Sequence, residues 1–182
     1  MRHFCKIADG LDVVPVLNAL AVNPHLWNAH DLRTTHPESP HQQGDDIWFW
    51  FNPEHEDPRG VIDDLDCVPY PAWDKLPQVR NVVLDIMRRV EGTRLGRVII
   101  TRLAPGAAIP AHIDDGAPAT YYTRYQLALQ SLPGALMKIG EEVVNFRMGE
   151  VWQIDNRTEH SVVNNSADDR IALIIDVRGP VC

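Results

Sequence analysis

The sequence predicts a mainly β fold with flanking helices, and three observations point to it. First, the second half of the chain consists of short runs, RVIITRLA, TRYQLALQ, ALMKIG, EVVNF, EVWQID, HSVV and RIALIIDV, separated by Gly, Pro, Asn and Asp. Val, Ile, Thr and aromatic side chains fit a pleated, half-buried surface, and the separating residues supply turn conformations. Second, Gly140-Glu141 and Met148-Gly149 stand between such runs with the length and chemistry of tight turns. Third, RIALIIDV is apolar on both faces. One of its faces therefore needs cover other than an opposing sheet, and the helices of the first half are the cover available. Together these features describe a double-stranded β-helix, a jelly roll of the cupin-like kind.

Residues 12 to 22 place Val13, Val14, Leu17 and Leu20 at helical spacing behind Asp12 as a cap, with Asn23-Pro24 as the stop. From about Asn28 to Pro58 the chain is rich in His, Pro and Asp and reads as loop, apart from the aromatic run Ile47 to Phe51, which suits a strand. Val79, Val82, Val83, Ile86, Met87 and Val90 then recur at helical spacing up to Gly92. A chain of 182 residues is expected to form one domain. Within it, residues 1–92 are a helical and irregular part that covers the roll and shapes a substrate site, and residues 93–178 are the β core.

The balance of charge narrows the partners. A formal net charge of -8 and a pI near 5.4 offer nucleic acid phosphates no general attraction. No run of about 18 apolar residues suggests a membrane span, and MRHFCKIADG lacks the apolar stretch of a secretory leader. Cys5, Cys67 and Cys182 show no paired spacing, so a reducing interior and a cytoplasmic location are expected.

Chemistry concentrates in IPAHIDD. Residues two apart on a strand share a side, so His112 and Asp114 can grip one ion while Ile113 faces away. His160 begins a strand 46 residues after Asp114, and a rolled sheet can bring that strand alongside. Two imidazoles and one carboxylate suit a divalent first-row metal and leave positions open for a chelating co-substrate and oxygen. Arg170 follows His160 by ten residues, enough for a strand, a turn and entry to the next strand. Its guanidinium could hold a carboxylate in two-point fashion deep in the roll, with small Ala172 leaving space on the same face. Asp115, beside Gly116, reads as a cap for the following loop. Arg124 shares a strand face with Tyr122 and Gln126, and from spacing alone it is equally a second carboxylate partner or an arginine paired with one of the chain's own acids.

Residues from about 98 to 176 resemble the aspartyl/asparaginyl β-hydroxylase domain, a branch of the iron(II) and 2-oxoglutarate oxygenases. TRLAPGAAIPAH is similar to that family's strand and Pro-Gly turn leading to its first metal histidine, and RYQLAL to its R-x-H-L-x-L strand. GEVWQIDNRTEHSVVN followed by RIALIIDV is similar to its closing pattern, which ends in R-x-x-L-x-x-D. The resemblance implies that His112 and His160 bind iron, that Arg170 and Thr101 bind the distal carboxylate of 2-oxoglutarate, and that Arg124 helps to hold the co-substrate. Gln126 departs from the pattern, standing where the animal members have a histidine. Asp114 departs too, adding a carboxylate that those members lack and completing a facial triad of His112, Asp114 and His160.

The implied activity is an iron(II)- and 2-oxoglutarate-dependent hydroxylation, with O2 consumed, of an aspartyl or asparaginyl side chain, a free amino acid or a related small molecule or peptide. The competing readings are a cupin-type metal dioxygenase or isomerase without 2-oxoglutarate, which has no need of Arg170, and a binding module of the same fold without turnover. Trp27, Arg33, His36, His41, Trp48 and Trp50 form an unusual concentration of aromatic and polar side chains in the first half, where specificity is expected, and none has an assigned role.

Overall fold

A computed structural model describes residues 1–53 and 63–180; the last part of the loop expected up to Pro58, and Cys182, lie outside the described residues. Chain order among the described residues is β1 (Phe4–Ala8), α1 (Val14–Ala21), α2 (Leu32–Thr35), β2 (Gly44–Phe51), β3 (Val68–Pro69), α3 (Pro71–Lys75), α4 (Pro77–Arg89), β4 (Arg94–Leu103), β5 (Ala108–His112), α5 (Gly116–Tyr121), β6 (Thr123–Gln130), β7 (Ala135–Ile139), β8 (Glu142–Val144), β9 (Val151–Ile154), β10 (His160–Asn164) and β11 (Arg170–Arg178).

The strands form two antiparallel sheets. The larger has the order β1-β9-β6-β11-β4-β2-β3 and the smaller β5-β10-β7-β8. Sequence neighbours β4 and β5 lie in different sheets, as do β9 and β10, so the chain passes repeatedly from one sheet to the other and rolls them into a double-stranded β-helix. The expected helices appear at 14–21 and 77–89. On α1 the buried side chains are Val16, Ala19 and Leu20, preceded by Val13, whereas Val14 is exposed, one position off the apolar face. Asp12 Oδ1 accepts from the Val14 amide at 3.1 Å, which supports the start of that helix.

Each face of the larger sheet meets a different layer. Ile171, Leu173 and Ile175 of β11, with Val98, Ile100, Leu127 and Leu129, pack against Val13, Val16 and Leu20 of the first helical segment and Val79, Val83 and Ile86 of α4. The opposite face packs Leu103, Ala128, Trp152 and Ile154 against Met137, Ile139 and Val162 of the smaller sheet. Strand alternation is what lets β11 be apolar throughout and serve both layers. The inner face, toward the smaller sheet, carries Arg170, Ala172 and Ile174 of β11, which pair with Leu103, Thr101 and Ile99 of β4.

A register shift between Trp48 and Trp50 bends β2. Simple alternation would put Trp48 and Phe51 on opposite faces; the bulge resets the count, and the two rings stack with centroids 4.0 Å apart.

Three local expectations are corrected. β1, absent from the sequence reading, adds an edge strand beside β9, with Phe4 set edge-on to Phe146 and Trp152. Strand β5 ends at His112, so Asp114 is not on the strand with it. Cys5 is disulfide-bonded, contrary to three reduced thiols, because a single cystine leaves no spacing pattern to read; Cys67 is a free thiol whose pKa burial pushes up to about 12. No helix among the described residues is long and apolar enough to cross a membrane.

Candidate metal centre

His112 closes β5 and His160 opens β10, and the antiparallel register sets the two residues directly opposite each other, with ring centroids 4.2 Å apart. The hydrogen bonds fix which nitrogen each ring offers. His112 Nδ1 lies 2.8 Å from the Pro110 carbonyl and His160 Nδ1 lies 3.0 Å from the Thr158 carbonyl. A carbonyl only accepts, so both Nδ1 atoms carry the proton and both Nε2 lone pairs are left free. Those Nε2 atoms stand 3.4 Å and 4.0 Å from Asp114 Oδ1. One donor atom from each of His112, Asp114 and His160 falls within 4.8 Å of the others, so the three can close on one ion.

Asp114 reaches this place from the loop after β5 rather than from the strand. Its amide donates to the Asn156 carbonyl at 3.1 Å, and the Asn156 side chain donates to Asp114 Oδ2 at 2.9 Å. Arg124 of β6 also donates to Oδ2. Burial alone would raise the Asp114 carboxyl; the charge of Arg124 overcomes it and holds the group well below the usual carboxylate range. Oδ2 is thus occupied and Oδ1 faces the histidines. Burial lowers the His160 imidazole and favours the neutral, ligating form.

Arg170 is buried at 6% exposure, and its one hydrogen bond among the described residues goes to Gln126 Oε1 at 3.1 Å. No carboxylate among the described residues pairs with it, and burial alone lowers it to about 10. Thr101, also buried, sits on the same inner face beside Ala172. The face therefore ends in a desolvated cation with no anion of its own, a condition that favours a bound carboxylate.

Residues 25–180 match the aspartyl/asparaginyl β-hydroxylase family. The chain belongs to that family, and with it to the iron(II) and 2-oxoglutarate oxygenases. Among curated relatives, L-proline cis-3-hydroxylase 2 of a Streptomyces species is 26% identical over 117 residues, which is 63% of this chain and 39% of the relative. The chain thus spans well under half of that relative's length. Among solved structures, the viral collagen prolyl hydroxylase of Paramecium bursaria Chlorella virus-1, in complex with 2OG, is 15% identical with a TM-score of 0.54, covering 98% of this chain and 97% of that one. A Pseudomonas putida prolyl-4-hydroxylase is 16% identical with the same TM-score of 0.54, covering 98% and 94%. A 2OG-Fe(II) oxygenase family oxidoreductase from Burkholderia pseudomallei is 17% identical with a TM-score of 0.54, covering 74% and 66%. At these identities the three structures share the fold.

Within this family frame, the geometry treats the expected residues differently. His112, Asp114 and His160 come together, and Arg170 and Thr101 share the inner face. Arg124 does not point a free guanidinium at that face. It donates to both oxygens of Asp176, at 2.8 and 2.9 Å, as well as to Asp114, so its donors are taken by the chain's own acids. Spacing placed Arg124 on the right face but could not show two carboxylates within reach. Asp176, Asn156 and Gln126 are the positioning residues that the sequence reading left without roles; Asp176 is the closing Asp of R-x-x-L-x-x-D, and that was the available signal.

A cavity of about 790 Å3 opens beside His112 and Asp114; Trp48, Ile99 and Ile174, neighbours on the inner face of the larger sheet, line it together with Arg124 and residues of the segment from Leu32 to His41. Arg33, His36, His41 and Trp48 line it. Trp27 instead lies under the Arg102 guanidinium, 4.4 Å from ring centroid to cation, and Trp50 meets Trp73 edge-on at 5.5 Å, so both are structural. Asp115 stands at the N-cap of α5 without a side-chain capping bond and faces the cavity.

Proposed function

We propose that this chain is an iron(II)- and 2-oxoglutarate-dependent dioxygenase that hydroxylates a carbon of a free amino acid or a related small carboxylate. His112, Asp114 and His160 would hold the iron through two Nε2 atoms and Oδ1. Arg170, with Thr101, would hold the distal carboxylate of 2-oxoglutarate. Iron with its co-substrate supplies the oxidation of an unactivated C–H bond, the balance being substrate, O2 and 2-oxoglutarate to hydroxylated substrate, succinate and CO2.

The observation that carries the reading is Arg170, a buried cation on the inner face of the larger sheet, toward the sheet that carries His112 and His160, with no carboxylate partner among the described residues. A metal enzyme that does not use 2-oxoglutarate has no need of it. The chain's own contribution is positional: backbone carbonyls orient the two imidazoles, Arg124 and Asn156 turn Oδ1 toward them, and Ile99, Ile174 and Trp48 supply apolar wall that excludes water from the reaction space. The cavity has the volume usual for a small-molecule site. The 26% identical relative, an L-proline cis-3-hydroxylase by its name, favours an amino acid as the substrate class.

The test is an anaerobic titration of the iron(II)-loaded protein with 2-oxoglutarate, followed by the metal-to-ligand charge-transfer absorption, and then succinate release under oxygen with a panel of free amino acids. The band should form, and at least one amino acid should stimulate succinate formation. Absence of the band would sink the assignment and favour a metal enzyme of the same fold that does not use 2-oxoglutarate.

A further inference from the structure

Among the described residues, two buried side-chain polar atoms lack a hydrogen-bond partner, His41 Nδ1 and Trp48 Nε1. Both side chains line the cavity beside the triad. Leaving a buried donor unpaired forfeits its hydration without a replacement bond, and native structures keep few of them. Two such donors, on two side chains that line the same cavity, therefore point to a ligand that pairs them once those side chains turn to meet it.

Both atoms are donors. The indole nitrogen of Trp48 only donates. For His41 the neighbours decide: Arg33 Nη2 stands 2.9 Å from Nε2, a guanidinium only donates, and so Nε2 accepts and the proton resides on Nδ1. Arg33 is held in turn by Asp46 Oδ2 at 2.6 Å, and Asp46 is 2% exposed, so the arrangement is anchored in β2. The His41 ring stands edge-on to His112, with centroids 5.3 Å apart, next to the triad. Trp48 is fixed by its stack on Phe51 at 4.0 Å, by Tyr70 set edge-on at 5.5 Å and by the His30 ring at 5.8 Å. The Arg33 charge behind His41 polarises the ring and strengthens its N–H toward an anion.

We infer that His41 and Trp48 are specificity-determining donors that take acceptor oxygens of the substrate, and that the substrate presents a free carboxylate to this wall rather than an internal peptide bond. The inference rests on the functional reading above and names which end of the substrate the first half of the chain recognises.

The experiment uses the full chain as parent, Trp48→Phe and His41→Phe, loaded with iron(II) and 2-oxoglutarate without oxygen. Trp48→Phe keeps an aromatic ring against Phe51 and deletes the donor while unpairing nothing else. His41→Phe keeps the ring beside His112 and leaves Arg33 on Asp46. Calorimetric titrations use L-proline, L-aspartate and L-asparagine, and the α-amide of each. At least one free acid should bind the parent, its α-amide should bind at least about tenfold more weakly, and each variant should lose about tenfold for the free acid while 2-oxoglutarate affinity is unchanged. The indole N–H resonance of Trp48, assigned by its loss in Trp48→Phe, should shift when that acid is added to 15N-labelled parent. The inference is overturned if acid and amide bind alike, if both variants match the parent, if both variants weaken 2-oxoglutarate instead, or if no free acid binds the parent. Repeating the amino acid titration without iron and 2-oxoglutarate keeps the two proposals apart. Donor-dependent acid binding in a protein that forms no 2-oxoglutarate band supports the inference and counts against the functional reading alone.

Discussion

Arg124 donates to both oxygens of Asp176, at 2.8 and 2.9 Å, and to Asp114 as well, so one guanidinium ties β6 to β11 and to the loop that carries the candidate carboxylate ligand. Asp176 is 3% exposed, and the Arg124 side chain is 13% exposed. Buried charges of this kind are costly to break because the remaining partners are stranded.

Arg124→Met should therefore act on stability and metal, not directly on co-substrate. The expected loss is about 3–5 kcal/mol of folding free energy from two stranded carboxylates. Iron affinity should fall by about 10–100-fold, the range for residues that orient a ligand from outside the coordination shell. Thermal melts and anaerobic iron titration measure both. An unchanged iron affinity with a large loss of 2-oxoglutarate affinity would restore Arg124 as a co-substrate contact.

His112→Ala and His160→Ala should each abolish stoichiometric iron(II) binding, since two protein ligands hold the ion poorly. His36→Ala, a change in the cavity wall away from the triad, should retain it. Anaerobic titration decides, and parent-like binding in both histidine variants would show the ligand assignment to be wrong.

Arg170→Met should leave iron binding intact and raise the 2-oxoglutarate dissociation constant by at least about tenfold, as charge-assisted hydrogen bonds of about 1.5–3 kcal/mol each are lost. The same change removes a buried cation that lacks a carboxylate partner among the described residues, so the co-substrate-free variant should melt at a higher temperature than the parent. Added 2-oxoglutarate should then stabilise the parent and not the variant. A melting temperature that falls would contradict the view of Arg170 as a stored electrostatic cost.

Glu150 gives the pH prediction. Burial opposes its charge, but hydrogen bonds from Lys6 Nζ, the Arg147 amide at 2.9 Å and the Trp152 indole at 2.9 Å lower its pKa. A depressed folded value means that its contribution is present above the unfolded carboxylate range and is lost as pH falls through the lowered folded value. Glu150→Ala should cost about 1–3 kcal/mol at neutral pH, largely by orphaning the Trp152 N–H, and the difference from parent should shrink in acid. Chemical denaturation at two pH values measures it, and a pH-independent difference would refute the assignment.

Much of the roll could be read from the sequence because strands and turns leave a local trace. RIALIIDV announced a strand buried on both faces, and Gly140-Glu141 announced its hairpin, seen in the pairing of Ile139 with Glu142. The helix over 77–89 followed from apolar spacing alone. What spacing could not supply was the third dimension of side chains. Asp114 was expected to reach the histidines through strand alternation, yet it reaches them from a loop pinned by Asn156, a residue 42 positions away. Arg124 was legible as a cation on the inner face, while its partner acids depended on how β6 and β11 align. β1 stayed hidden because FCKIA is short and its edge position tolerates polar residues.

The cavity's lining comes from separate stretches of chain. His112, Asp114, Arg124, Ile174 and Trp48 belong to the two sheets and the connections between their strands, whereas much of the remaining lining comes from the segment between Leu32 and His41, ahead of β2. Substitutions in the short stretch around His41 thus change this part of the cavity lining while leaving the strands that carry His112 and His160 untouched. That division separates two demands on the chain: the lining between α2 and β2 can vary in sequence and length without moving the paired strands that bring His112 and His160 together.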